Sequence, residues 1–212
     1  MKFRFYAFKL SLLVILFFVL QIIFPIFTDF LVLDFRAFGE YWRFLSSIFL
    51  HGGLGHLAYN LFALLLFGSV LEKVIGGKKF LLVFFITGIF ANLIAIKFYS
   101  SSLGASGAIF GIIGALIIVR PWFMIWAFVM PMPLFIAGIL WAFGDFVGAV
   151  SFFSGNAIDN TGNIAHLSGM FLGFVFGFFY RGRVIRRGKI EKREKVRFRE
   201  REVRDWEDRY FR

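Results

Sequence analysis

Apolar residues run through this chain in six long stretches rather than alternating with polar ones. They lie at about 8–28, 55–72, 80–98, 105–119, 134–152 and 163–180. A helix needs about 20 residues to cross roughly 30 Å of hydrocarbon, and the stretches run from about 15 to about 21 residues. Strand spans would show polar and apolar residues at every second position, and none of the stretches does. The pattern therefore predicts an all-α polytopic membrane protein with six transmembrane helices. It divides into a membrane domain, residues 1–180, and a charged tail, residues 181–212. The first stretch begins almost at Met1 and lacks a small-residue cleavage signal, so it is expected to be retained.

The fourth stretch is too short. From Ser106 to Val119 a helix rises only about 21 Å. With Arg120 and Pro121 at the cytoplasmic surface, its first turn is expected roughly 9 Å below the outer boundary. The preceding YSSSLG must dip to meet it, and irregular backbone at that depth must line a cavity or be buried in protein. Ser106 then stands at a submerged helix N-terminus, where free N–H groups and the positive dipole end favour negative charge.

Polar side chains inside apolar spans are costly and call for a reason. HGGLGHLAYN opens the second span with His51, His56 and Asn60, the last two one turn apart on a single face. GNIAHLSGMFLG opens the sixth with His166 about one turn in, at a depth like that of Ser106. A serine beside a histidine is a nucleophile and its general base. His56 and Asn60 are placed to aim donors at a developing oxyanion. Neither Asp145 nor Asp159 is obviously placed as a third member, so a Ser106–His166 dyad is expected and Asp145 is read as a structural hydrogen-bonding partner. Ala165, Gly169, Gly173 and Gly177 form a small stripe on the sixth span, and Gly107 with Gly111 a matching one on the fourth. Such stripes let helices in lipid pack closely. Each feature alone has a plainer reading: a packing serine, an interhelical hydrogen-bond pair, an interfacial histidine. Their shared depth on one membrane face is what joins them.

Composition changes this picture little. The chain is 212 residues, 59% hydrophobic, with a mean hydropathy of +0.79. It has no cysteine, which excludes disulfides and thiolate chemistry. No Asp, Glu or Cys joins the three histidines at ligand spacing, so a metal is not expected. Charge decides the orientation. Of the 24 Lys and Arg, only Arg36, Arg43 and Lys97 fall on one side of a six-span arrangement, which puts both termini in the cytoplasm. Fourteen basic and seven acidic residues fill the tail. A solvated, topology-fixing helix is its plainest reading; attraction to anionic lipid is the functional one, and nucleic acid is not expected.

Four motifs in order then resemble the rhomboid intramembrane serine proteases. GASG at 104–107 matches the family's Gly-x-Ser-Gly, and AHLSGMFLG at 165–173 its Ala-His-x-x-Gly-x-x-x-Gly. HGGLGHLAYN at 51–60 matches its His-x-x-x-x-His-x-x-x-Asn, and YWRF at 41–44 its outer-loop Trp-Arg. The resemblance covers about residues 10–180 and is to the six-helix prokaryotic form. It implies Ser106 as nucleophile and His166 as base, with His56, Asn60 and the Ser106 backbone N–H as oxyanion hole. It implies structural parts for His51, Trp42, Arg43 and the motif glycines Gly104, Gly107, Gly169 and Gly173. It further implies an endopeptidase of a prokaryotic cell membrane. Such an enzyme cuts transmembrane segments near the outer face without a cofactor, its substrate entering past the fifth span and under the loop that follows. The competing expectations are a catalytically silent relative that binds and escorts membrane proteins, and a small transporter or channel. The lack of a clear inverted repeat counts against the last.

Overall fold

The computed structural model describes residues 4–127, 129–155 and 162–210. Lys2, Asp159, the last two tail residues and part of the loop after the fifth span lie outside the described residues.

Helix α1, Tyr6–Ile23, ends earlier than the hydrophobic pattern suggests. Phe24 turns extended ahead of Pro25, since a residue before proline is pushed out of the α region. Pro25 then starts a short second helix, α2, Pro25–Leu31, at the position where its missing N–H costs nothing. A short helix α3, Arg43–Ser46, follows. The second span runs Leu54–Ile75: α4, Leu54–Ala63, passes through a π turn at Leu64–Gly68 into α5, Ser69–Ile75. Then come α6, Gly77–Ala95, α7, Ser106–Val119, α8, Leu134–Phe153, and α9, Asn163–Tyr210. Among the described residues five helical segments are long and apolar enough to cross a membrane, and α7 is the shorter apolar one. Helix α9 continues unbroken through residue 180 into the charged tail.

Helix α7 is the centre of the molecule, with ten of its fourteen residues buried. Its glycines explain how it is enclosed. A Cβ on Gly169 would meet the Gly107 carbonyl, and one on Gly173 the Gly111 carbonyl, so α9 rests on the backbone of α7. Gly114 returns the fit against the Met170 carbonyl. Gly107 and Gly111 thus meet Gly169 and Gly173 of the α9 stripe backbone to backbone, as the matching stripes imply. The missing side chains of Gly107 and Gly111 face α6, where Ala91 and Thr87 fill the space, while their carbonyls face α9. In a helix the carbonyl and the Cβ of one residue point to different azimuths, so one glycine serves two neighbours.

Two small antiparallel sheets complete the fold. β1, Leu33–Asp34, pairs with β2, Ser101–Ser102, tying the loop after α2 to the segment before α7. β3, Met124–Ala127, and β4, Met130–Pro133, form a hairpin between α7 and α8. At the other end of α1, buried Glu72 accepts the backbone N–H groups of Arg4 and Ala7 at 3.0 and 3.2 Å. It thereby satisfies donors that the helix start leaves open.

The loop between α1 and α4 is built around two arginines. Arg43 is 1% exposed and donates to the carbonyls of Asp29 and Val32 at 2.8 and 2.9 Å, and to Glu40. Arg36 bridges Asp29 and Asp34. Its guanidinium donates to both carboxylates and holds each below the ordinary value of 3.8. A carboxyl group lowered by folding contributes stability that is present above its unfolded value and lost as pH falls through the native one. The loop is therefore expected to loosen below about pH 4. Thermal melts in detergent between pH 7 and pH 3 check this: Asp34→Asn should flatten the acid-side decline.

Candidate active site

Three elements converge on Ser106. β2 is held by β1, and the Gly104 N–H then donates to the Ser47 carbonyl at 2.9 Å. Ser47 is itself fixed by the Asn92 side chain of α6 at 3.0 Å. Gly104 carries a φ of +124°, a conformation glycine adopts without strain. A Cβ there would also press on His56 Cε1 at 2.8 Å, so this glycine is required by backbone and space alike. Ala105 precedes the helix, and Ser106 is its first residue, with no side-chain cap on the free N–H groups.

His56 is half-buried one turn into the second span. The Gly52 N–H donates to its Nδ1 at 3.4 Å. An accepting Nδ1 leaves the ring proton on Nε2, the atom facing Gly104. Asn60 is buried and gives one amide hydrogen to the His56 carbonyl at 2.8 Å. Its Oδ1 has no partner among the described residues. His51 lies behind, 2% exposed, its ring 5.0 Å from that of His56 and its backbone clasped by Gln21 of α1. Trp42 stays at the rim, bonding the Phe30 carbonyl at 3.4 Å.

His166 comes from the first turn of α9. The Tyr99 hydroxyl accepts the nearby Ile164 N–H at 3.2 Å and steadies this helix start. Gly107 and Gly169 bring α9 onto α7 just beside it. Ser106, His56, Asn60 and His166 all line one cavity of about 1030 Å3, together with small residues of α6 and α7.

Two contacts of His166 are not foreseen by the sequence reading. Its ring stacks flat on Phe110, centroids 4.4 Å apart and planes 6° apart. Phe110 stands four residues after Ser106, hence on the same helix face, and that spacing was the available signal. The other is with Asp145 of α8, expected as a hydrogen-bonding partner but not assigned to this histidine: its Oδ1 lies 3.0 Å from His166 Nδ1. Asp159 lies outside the described residues.

Comparison with known proteins follows the same lines. The Rhomboid domain family matches residues 38–183. Rhomboid protease GluP of Bacillus subtilis is 45% identical over 84 residues, covering 39% of this chain and 17% of that protein. The putative rhomboid protease YdcA of the same organism is 41% identical over 81 residues, 37% of this chain and 41% of that protein. Inactive RHOMBOID-like protein 8 of Arabidopsis thaliana is 38% identical over 80 residues, 37% of this chain and 23% of that protein. The chain thus spans less than half the length of each of these relatives.

Proposed function

This chain belongs to the rhomboid family and is an integral membrane protein, and from that premise we propose that it is an intramembrane serine endopeptidase acting through Ser106 and His166. The observation that carries the reading is one cavity lined by a helix-terminal serine, a buried-edge histidine and two donor side chains. His51, Trp42 and Arg43 hold the surrounding backbone in this reading.

A transmembrane segment of another membrane protein enters beside α8, under the loop that follows it, and unwinds near the outer face. Ser106 Oγ attacks the scissile carbonyl carbon as its proton passes to His166 Nε2. The carbonyl oxygen becomes an oxyanion, held by His56 Nε2–H, the Asn60 amide and the Ser106 N–H. The C–N bond then breaks, and His166 returns the proton to the leaving amine. Water attacks the ester carbon as His166 takes one of its protons; the Oγ–C bond then breaks and His166 returns that proton to Ser106 Oγ, which frees the new carboxyl terminus and restores the serine. The residues require no metal or cofactor for these steps. The charge distribution supports cytoplasmic termini, and the likeness to the six-helix form a prokaryotic cell membrane, with residues 1–180 as the membrane domain. The tail, which continues α9 as far as Tyr210, then lies on the cytoplasmic side within reach of anionic lipid.

A catalytically silent binding factor is the second reading, favoured by the resemblance to a relative named as inactive. Labelling separates the two. A fluorophosphonate probe in detergent should form a covalent adduct on Ser106, identified by mass spectrometry. Ser106→Ala and His166→Ala should not be labelled. A folded native protein that takes up no probe would favour the silent reading.

A further inference from the structure

The loose end in this site is Asp145. It lies mid-way along α8, is 8% exposed, and its Oδ1 meets His166 Nδ1 at 3.0 Å. Both side chains are largely shielded, at 12% exposure for His166 and 9% for Asp145. We propose that Asp145 is a positioning residue for the reaction: it accepts the His166 Nδ1–H and thereby fixes the tautomer and ring orientation that Ser106 requires. The inference rests on the reading of Ser106 and His166 as nucleophile and base.

Three observations carry it. An imidazole can accept the serine proton at Nε2 only while its own proton sits on Nδ1. Among the described residues, Asp145 is the acceptor at that nitrogen. Second, Phe110 clamps the face of the same ring, so ring plane and ring edge are set by separate neighbours. That leaves one rotational position, with the far edge of the ring carrying Nε2. Third, Asp145 Oδ2 is buried and has no partner among the described residues. A carboxylate kept only to tie two helices would be expected to satisfy both oxygens, because an unpaired buried acceptor is costly. The contact between α8 and α9 is also made nearby without it, where Gly148 admits the Asn163 side chain. The carboxylate would further stabilise the imidazolium that forms when Ser106 loses its proton.

The test is steady-state cleavage of a single-span substrate in proteoliposomes by native protein, Asp145→Asn, Asp145→Glu and Ser106→Ala. Asp145→Asn can donate to Nδ1 and so forces the wrong tautomer. It is expected to lower kcat by about 10²–10⁴-fold, with KM and melting temperature nearly unchanged. Asp145→Glu restores an acceptor and is expected to recover at least about tenfold over Asp145→Asn. A kcat for Asp145→Asn within about threefold of the native value would overturn the proposal. So would a loss that tracks a fallen melting temperature and is not recovered by Asp145→Glu, since that describes a structural tie. Full activity in Ser106→Ala is a separate result, and it would overturn the reading of the site itself.

Discussion

Replacing Ser106 by alanine is expected to lower peptide-bond cleavage by on the order of 10⁴- to 10⁶-fold while leaving the fold intact. The side chain is half-buried at the first position of α7, and removing one oxygen there opens no large void. Because Ala105 and not Ser106 precedes the helix, and no side-chain cap is made, the helix start loses nothing by the change. The chemistry, by contrast, loses its covalent path. His166→Ala should cost about as much, and the double variant little more, if the two act as one unit as proposed. The measurement is kcat on a single-span substrate for both single variants and the pair. Additive losses would mean that the two residues do not cooperate in one step. The cavity, the His56 and Asn60 donors and the free N–H groups of α7 remain in each variant, so substrate binding should persist and KM should move little.

The parts of this site that were legible in the sequence are those set by local spacing. Asn60 follows His56 by one helical turn, and Ser106 follows Gly104 within one motif, so their relation needs no knowledge of the fold. The shortness of α7 could likewise be counted directly, at 14 residues between Ser106 and Val119. What escaped depends on how separate helices rotate against each other. Asp145 and His166 are 21 residues apart on different helices, and no periodicity says which face of α8 meets α9. The same holds for Gly107 and Gly111, whose small size is visible in the sequence but whose open side belongs to α6. The end of α1 was misjudged for a different reason: the apolar run continues past Phe24, and the hydropathy signal masks the break that Pro25 imposes. The β3–β4 hairpin hides in an uncharged stretch, where apolar composition gives no clue to a turn.

Gly173→Ala is expected to affect the fold as much as a typical core side-chain deletion, although it adds only one methyl group. The new Cβ would have to occupy the space of the Gly111 carbonyl oxygen. A flexible side chain could move aside, but this oxygen belongs to the backbone of α7. Helix α7 cannot retreat either, because a Cβ's worth of space on its other side is already taken by Thr87 of α6. Overpacking a close-fitted core typically costs about 1–3 kcal/mol, and a clash between two backbones pinned from both sides belongs at or above the upper end. Given roughly 2–4 °C per kcal/mol for a chain of this size, the melting temperature in detergent should fall by on the order of 10 °C. Activity should fall further than stability, because any separation of α9 from α7 carries His166 away from Ser106. A misplacement of about 1 Å at a reacting pair can cost on the order of 10²-fold in rate. Gly188→Ala supplies the contrast. It lies on the same helix with nothing within 4 Å of its added Cβ, and alanine is the better helix former by about 1 kcal/mol. It should leave activity unchanged and melting temperature equal or slightly higher. Equal behaviour of the two variants in thermal melts and cleavage assays would mean that α9 does not rest on the α7 backbone. The close approach that brings Ser106 and His166 to one cavity would then need another cause.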